Sequence, residues 1–254
     1  MKLKHTTIIA LATLLASNAA MAQTKAPEPD YTLSYNVGAV SDYRFRGISQ
    51  TSFNPALQAG LDFAHKNGFY LGLWGSNINW IKDYVGAADG SLEVDLYGGY
   101  KGELAKDLTF DIGLIAYQYP GNKAANVAGF ANANTTEIYG ALSYGVVTAK
   151  YSYSTSNFIA NSNSSGSTYL EVAATLDLGN GFTLTPHVGR QTIPNQAVSG
   201  DYTDYSLTLA KDFGNGFSAT IAALGTNAGD AFYKVPGFDN LGKSTLAVGV
   251  KYSF

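Results

Sequence analysis

Apolar and polar residues alternate strictly at the end of the chain. Every second position from Leu246 to Phe254 is apolar, and the intervening positions are small or polar. Because successive side chains of a β-strand point to opposite faces, this spacing predicts a strand whose two faces meet different solvents. An unpaired strand edge is not tolerated in lipid, so we expect this last strand to pair with the first and close a barrel.

The same alternation predicts strands along most of the chain. A first strand is predicted over 31–46, with aromatic and aliphatic residues in one phase and polar residues in the other. Eleven more are predicted near 56–65, 69–78, 91–101, 108–118, 136–144, 147–156, 168–178, 181–191, 203–211, 216–225 and 244–254. A tilted strand needs about 9–11 residues to cross a bilayer. The predicted fold class is therefore all-β, a transmembrane antiparallel up-and-down β-barrel of about 12 strands.

The predicted connections alternate between short and long. Tight turns are predicted near 66–68, 103–107, 145, 179–181 and 213–216, and long connections over 47–55, 79–90, 119–135, 157–167, 192–202 and 226–243. In outer-membrane barrels, short turns face the periplasm and long loops face outward. An even number of strands then places both chain ends on the periplasmic side.

Aromatic residues gather at the predicted strand ends. One predicted ring at the periplasmic interface comprises Tyr31, Phe63, Phe69, Tyr100, Phe110, Tyr144, Phe182, Phe217, Tyr252 and Phe254. A second, outer ring is predicted from Tyr43, Phe45, Tyr153 and Tyr205. Aromatic side chains favour the boundary between lipid and water, so two rings are typical of a membrane barrel.

The amino terminus has the features of an export signal. Lys2 and Lys4 precede an apolar run from Ile8 to Ala16, and the small residues Ala20 and Ala22 precede Gln23. The run of about nine residues is too short to span a membrane as a helix. We predict a cleaved signal peptide at 1–22, a barrel at 23–254, and a location in the outer membrane of a Gram-negative cell.

Composition excludes several other classes of protein. The chain has no cysteine, so neither disulfides nor thiolate metal sites are available to it. Glycine (28 residues) and tyrosine (18 residues) are abundant, which favours strands. The formal net charge of −3 gives no indication of a nucleic-acid partner.

Charged side chains collect in the polar phase of the predicted strands. A lysine or arginine on the lipid face near the midplane would cost about 2–4 kcal/mol, so this phase is assigned to the barrel interior. The candidate pore-lining residues are Asp42, Arg44, Arg46, Asp62, Glu93, Asp95, Asp111, Glu137, Lys150, Glu171, His187 and Lys251, with Asp204 in the same phase. They would line an open or loop-constricted pore, or form a paired network that fills a narrow interior. Because acids outnumber bases, a pore would weakly favour cations.

Two groups within this set allow alternative roles. Glu93, Asp95, Asp111 and Glu137 lie on three consecutive predicted strands, where they would attract a cation or act as scaffolding opposite arginines. Arg44 and Arg46 lie near the outer end of the first predicted strand. They would form a constriction pair, or serve as partners for Asp42 and nearby acids.

Catalytic and cofactor motifs are missing from the sequence. Outside the predicted signal peptide, the histidines are His65 and His187, and neither has a serine two residues away that a strand would place on the same face. There is no HExxH, phosphate-binding loop or GxGxxG motif. We therefore expect no enzymatic activity, no cofactor and no metal site.

Specific stretches resemble a known family. They are Ser41 to Thr51, Pro55 to Gln58, Gly68 to Tyr70, Trp74 to Asn77, Glu93 to Tyr100 and Tyr117 to Gly121. These stretches resemble the TorF-family porins of proteobacteria, closely in the first half and loosely elsewhere. The resemblance implies an outer-membrane channel for passive diffusion of small hydrophilic solutes, with outer-membrane lipid and the barrel-assembly machinery as partners. The alternative is a filled barrel that serves as a surface receptor or structural protein through its long loops.

Overall fold

A computed structural model describes residues 29–235 and 237–254. The predicted signal peptide at 1–22 lies outside the described residues. Among the helices that are described, none is long and apolar enough to cross a membrane.

The described chain consists almost entirely of β-strands. Its strands are β1 (Tyr31–Val40), β2 (Arg44–Phe45), β3 (Ile48–Ser49), β4 (Ala56–His65), β5 (Phe69–Asn77), β6 (Leu92–Ala105), β7 (Leu108–Gln118), β8 (Thr135–Tyr144), β9 (Val147–Ser154), β10 (Thr168–Ala174), β11 (Leu176–Gly179), β12 (Phe182–Thr192), β13 (Tyr202–Gly214), β14 (Phe217–Thr226) and β15 (Thr245–Ser253). The helices are α1 (Trp80–Asp83), α2 (Asp230–Tyr233) and a 3₁₀ turn (Ala124–Asn126).

The strands pair antiparallel with their neighbours and close into a barrel. The first strand, β1, pairs with β4 on one side and with β15 on the other, where Val37 lies opposite Tyr252. On the far side, β10 pairs with both β9 and β12. Because β10 and β11 continue one another, the wall has twelve strands, which confirms the predicted fold class.

One irregularity interrupts the wall between β10 and β11. Pairing of β10 with β12 ends at Ala173, and pairing of β11 begins at Leu176. The gap lies opposite Pro186, which has no N–H to donate to a neighbouring strand. On the other side of the strand, the N–H of Thr175 donates to the carbonyl of Val146 at 2.8 Å and continues the pairing with β9.

The outer face of the barrel is apolar, as the alternation predicts. Leu246, Val248 and Val250 of β15 are 66%, 52% and 48% exposed. Aromatic rings meet near the short turns, including Tyr31 with Phe63, Phe69 with Tyr100, and Tyr35 with Phe254. A surface of exposed aliphatic side chains edged by aromatic residues suits contact with lipid.

The prediction of a first strand over 31–46 is wrong for its last six residues. Strand β1 ends at Val40, and residues 41–55, the inserted hairpin, turn back through β2 and β3. Arg46 and Gly47 form the turn with φ of 48° and 80°. The sequence did not reveal this because the alternating pattern continues across the end of the strand.

Tyr43 and Phe45 are consequently wrong as members of the outer aromatic ring. Their rings meet aromatic residues of the wall strands, Trp74 at 5.3 Å and Tyr117 at 5.3 Å between ring centroids. Tyr153 and Tyr205 are 41% and 51% exposed, as a position on the outer face requires.

The long connections lie together at one end of the barrel, the long-loop end. Two clusters of buried apolar residues join them. The first is built around Ile78, Trp80, Ile81, Val85 and Tyr119, and the second around Ile48, Tyr202, Tyr233, Val235 and Leu241. The inserted hairpin supplies Ile48 to the second cluster and packs Tyr43 and Phe45 against the first, so it links both.

Candidate functional site

The inserted hairpin bridges opposite walls of the barrel. Tyr43 contacts Trp74 of β5, whereas Arg46 contacts Gln191 of β12. In the ring of twelve strands β5 and β12 are six positions apart, so they face each other across the lumen. Gly47, at the turn, lies against Asp204 of β13 so closely that a Cβ would collide with that side chain.

Arg46 fixes the tip of the inserted hairpin. Its Nη1 donates to Glu137 Oε1 at 3.1 Å and to Gln191 Oε1 at 2.8 Å, and its Nη2 donates to Glu137 Oε2 at 2.7 Å. The guanidinium also lies 4.2 Å from the ring centroid of Tyr169. The Arg46 side chain is 8% exposed and that of Glu137 is 1% exposed. A bidentate pair of guanidinium and carboxylate fixes the geometry of both side chains, and its burial means that loss of either partner would leave an uncompensated charge away from water.

Arg44 and Asp42 stabilise the base of the inserted hairpin. Arg44 Nε donates to Asp42 Oδ2 at 2.6 Å, and Arg44 Nη1 donates to the carbonyls of Gly47 at 2.9 Å and Leu241 at 2.8 Å. Asp42 Oδ1 accepts a 2.6 Å hydrogen bond from Ser49 Oγ. These bonds tie the two arms of the inserted hairpin to each other and to the connection before β15.

A cavity of about 290 Å³ lies against the inserted hairpin, with Arg44, Arg46 and Gly47 on its lining. The rest of the lining comes from β7, β9, β10, β12, β13 and β14, and its ionisable members there include Lys150 and Glu171. The inserted hairpin therefore narrows the lumen without filling all of it.

His187 lies between two carboxylates on this lining. Its Nε2 is 3.1 Å from Glu171 Oε2, and its Nδ1 is 3.5 Å from Asp204 Oδ1. Tyr169 OH donates to Asp204 Oδ2 at 2.9 Å. Three neighbouring strands thus contribute to one hydrogen-bonded cluster of polar side chains.

Four tyrosines on the inner wall lie against glycines of neighbouring strands. A Cβ added at Gly72, Gly99, Gly113 or Gly189 would collide with the ring of Tyr97, Tyr70, Tyr139 or Tyr169, respectively. Three of the four hydroxyl groups donate to carboxylates, Tyr97 to Asp62, Tyr70 to Asp111 at 2.6 Å and Tyr169 to Asp204. The hydroxyl of Tyr139 contacts that of Tyr70. Because the rings lie close against neighbouring backbone, these aromatic residues occupy less of the lumen than rings projecting inward would.

This arrangement of tyrosine and glycine is not evident from the sequence. Its signal is a glycine in the polar phase of one strand paired with an inward tyrosine of the next, such as Gly72 opposite Tyr97 and Gly113 opposite Tyr139. The strand register needed to recognise these pairs is not visible in the sequence alone.

Glu93 and Asp95 are buried apart from the cavity. They are 1% and 7% exposed, and Glu93 Oε1 accepts a 3.1 Å hydrogen bond from Tyr119 OH. Within the part of the chain that the structure describes, Glu93 Oε2 and Asp95 Oδ1 have no hydrogen-bond partner. The four acids that were grouped from the sequence therefore do not form one site. Glu93 and Asp95 remain together on β6, whereas Glu137 pairs with Arg46 and Asp111 accepts a hydrogen bond from Tyr70.

Three lysines occupy the polar phase of the wall. Lys150 Nζ lies 4.4 Å from the ring centroid of Tyr139. Lys101, which is not among the candidate pore-lining residues, has its Nζ 5.7 Å from the ring centroid of Tyr70. Lys251 is exposed on β15, opposite Gly38 of β1. Among the described residues there is no group of three or more histidine, aspartate and glutamate side chains that could hold a metal ion.

The closed antiparallel wall, the apolar outer face and the long-loop end define a twelve-stranded β-barrel whose architecture is shared with solved outer-membrane porins. The chain matches the family described as "Bacterial protein of unknown function (Gcw_chp)" over residues 24–254, and it belongs to that family. Comparison with curated proteins gives no match.

Solved porins share the fold at low sequence identity. The NanC porin aligns with a TM-score of 0.55 and 14% identity, covering 87% of this chain and 99% of NanC. The KdgM porin in complex with disordered oligogalacturonate aligns with a TM-score of 0.52 and 9% identity, covering 87% of this chain and 98% of KdgM. At these identities, the likeness concerns the architecture of the barrel.

Proposed function

We propose that this chain is a porin that allows passive diffusion of small hydrophilic solutes through a constricted lumen. In this proposal the signal peptide at 1–22 is removed and residues 23–254 form the barrel in the outer membrane of a Gram-negative cell. The resemblance of 41–51 and 93–100 to TorF-family porins supports this assignment. Outer-membrane lipid, the transported solutes and the barrel-assembly machinery would be its partners.

The observation that carries the proposal is the inserted hairpin itself. A barrel that served only as a scaffold would need no segment folded from the wall into its lumen and fixed there by a buried ion pair. The pair of Arg46 with Glu137 fixes the inserted hairpin across the lumen, and a polar cavity remains beside it. Channels achieve selectivity through constrictions lined by charged groups, and this arrangement provides one.

Within the proposed channel, the candidate pore-lining residues divide by role. Arg46 and Glu137 would define the narrowest part, and Asp42 and Arg44 would hold the inserted hairpin in shape. Lys150, Glu171 and His187 would line the cavity beside it. Asp62, Asp111 and Lys251 would line the lumen elsewhere along the wall, while Glu93 and Asp95 would be covered by the inserted hairpin.

One observation favours the alternative of a filled barrel that acts as a surface receptor or structural protein. The two apolar clusters join the long connections to one another and to the inserted hairpin. Loops tied together in this way would cover the long-loop end and present a folded surface to a partner. In that case, the charged interior would serve to stabilise the barrel.

Recording from planar bilayers separates the two functions. The full chain, folded in detergent and inserted into a bilayer, is expected to give stepwise conductance. A boiled sample of the same preparation serves as the control. If folded protein inserts but gives no steps at any applied voltage, the channel function is refuted and the filled barrel is favoured.

A further inference from the structure

We infer that the carboxyl groups of Glu93 and Asp95 form a buried proton-binding site that controls the inserted hairpin. While the site holds a proton, the inserted hairpin stays in the lumen, and when both groups ionise, the inserted hairpin is released. This inference rests on the proposed channel function, because it makes passage through the constriction depend on pH.

Glu93 and Asp95 lie on the same face of β6, since side chains two residues apart on a strand point to the same side. They are 1% and 7% exposed. One oxygen of each, Glu93 Oε2 and Asp95 Oδ1, is buried without a hydrogen-bond partner among the described residues. A buried polar atom without a partner is rare in folded proteins, and two such atoms on neighbouring carboxyl groups require an explanation.

The groups that face the two carboxyls are phenols and not cations. They are Tyr43 of the inserted hairpin, Tyr97 of β6, Tyr117 of β7 and Tyr119, whose hydroxyl donates to Glu93 Oε1 at 3.1 Å. Among the described residues neither carboxyl forms an ion pair, since the arginines of the inserted hairpin bind Asp42 and Glu137 instead. Two ionised carboxylates here would repel each other away from water and without a counter-ion, so the covered pair retains at least one proton.

The inserted hairpin is the cover over this pair. The ring of Tyr43 lies 5.3 Å from that of Trp74, the residue of β5 directly opposite Asp95. Phe45 packs against Tyr117, with 5.3 Å between ring centroids. Movement of the inserted hairpin out of the lumen removes both aromatic side chains and admits water to the carboxyl groups. A carboxyl group in water is ionised above about pH 5.

The direction of the pH effect follows from these two states. The inserted conformation binds at least one proton more than the displaced conformation, so a rise in pH favours displacement. For each proton lost to the surrounding water, the ratio of displaced to inserted hairpin rises by up to about tenfold per pH unit.

Single-channel recording from the full chain between about pH 5.5 and 8.5 tests this inference. The open fraction of the wild-type channel is expected to rise with pH. In the double variant Glu93→Gln with Asp95→Asn, the side chains keep their size but cannot ionise, so the open fraction should stay low at every pH. Glu103→Gln, which removes an exposed acid of the same strand, is the matched control and should keep the wild-type slope.

Two further arms separate the proton site from other causes. His187 also titrates in this range, and it lies between Glu171 and Asp204 at the cavity. His187→Gln is expected to retain the slope, and a chelator is expected to leave it unchanged. The inference is overturned if the wild-type open fraction does not respond to pH, if the double variant keeps the slope, if His187→Gln abolishes it, or if the chelator abolishes it.

Tryptophan fluorescence follows the inserted hairpin without any current. The chain has two tryptophans, so Trp80→Phe leaves Trp74 as the single reporter beside Tyr43. Displacement of the inserted hairpin should expose Trp74 to acrylamide, a neutral quencher. Quenching is expected to increase with pH in Trp80→Phe, and to lose this dependence when Glu93→Gln and Asp95→Asn are added.

The two measurements distinguish the failure of this inference from the failure of the channel function. A folded protein that shows pH-dependent quenching but conducts no current refutes the channel function and retains the proton site. A protein that conducts, but whose open fraction and quenching are both independent of pH, retains the channel function and refutes the proton site.

Discussion

Replacement of Arg46 by glutamine should release the inserted hairpin from the barrel wall. In the native protein the Arg46 guanidinium makes two hydrogen bonds to Glu137 and one to Gln191. Glutamine is too short to reproduce these bonds and carries no charge. Glu137 would keep a 3.0 Å hydrogen bond from Ser154 Oγ but would lose its counter-ion in a site where it is 1% exposed.

The size of the effect follows from the burial of the pair. Removing one partner of a buried ion pair costs about 3–5 kcal/mol because the other charge is left uncompensated away from water. When the inserted hairpin moves out of the lumen, water reaches Glu137. The cost of the uncompensated charge therefore destabilises only the conformation in which the hairpin is inserted. Since 1.4 kcal/mol corresponds to tenfold, the ratio of displaced to inserted hairpin should rise by roughly two to four orders of magnitude.

Single-channel recording measures this shift as a larger open fraction and a larger unit conductance in Arg46→Gln than in wild type. Arg190→Gln is the matched control, because Arg190 has a side chain that is 50% exposed and lies on β12. In the double variant Arg46→Gln with Glu137→Gln, the open fraction and the unit conductance should return towards the wild-type values, because no unpaired charge is left at the site.

A second assay follows the inserted hairpin directly. The chain has no cysteine, so Ile48→Cys provides a single thiol at a position that is 8% exposed. A water-soluble thiol reagent should label it faster when Arg46→Gln is also present. The reasoning is refuted if Arg46→Gln leaves both the conductance and the labelling rate at their wild-type values.

Two further predictions concern the wall. Gly72→Ala should force the ring of Tyr97 into the lumen, reduce unit conductance and destabilise the barrel by about 1–3 kcal/mol, measured by urea unfolding. Gly140→Ala is its control, because nothing lies within 4 Å of the added Cβ, and equal effects of the two would contradict the packing argument. Deletion of Phe254 should lower the yield of folded barrel severalfold, because its N–H and carbonyl exchange 3.0 Å hydrogen bonds with Tyr35 and close the wall. Folded yield after refolding into detergent measures this, and an unchanged yield would show that closure does not need the last residue.

The sequence by itself determined the barrel. Lipid outside and polar surroundings inside impose a period of two on every wall strand, and this period is local, so it is visible without any knowledge of contacts. The closing strand, the twelve-strand wall and the apolar phase containing Leu246, Val248 and Val250 all follow from it. Turn residues fix the order of short and long connections for the same local reason.

Only the tertiary structure decided what lies inside the barrel. The alternation that forms β1 runs on through Tyr43 and Phe45, so a period of two does not distinguish a wall strand from a hairpin folded into the lumen. The partners of Arg46 are 91 and 145 residues away in the sequence, and the pairs of tyrosine and glycine depend on strand register. Side chains from distant strands meet in the lumen only after the wall has closed, and their pairing decides which charges stay free. For this reason, a count of interior acids and bases does not give the charge of the lumen, because folding pairs Asp42 with Arg44 and Glu137 with Arg46.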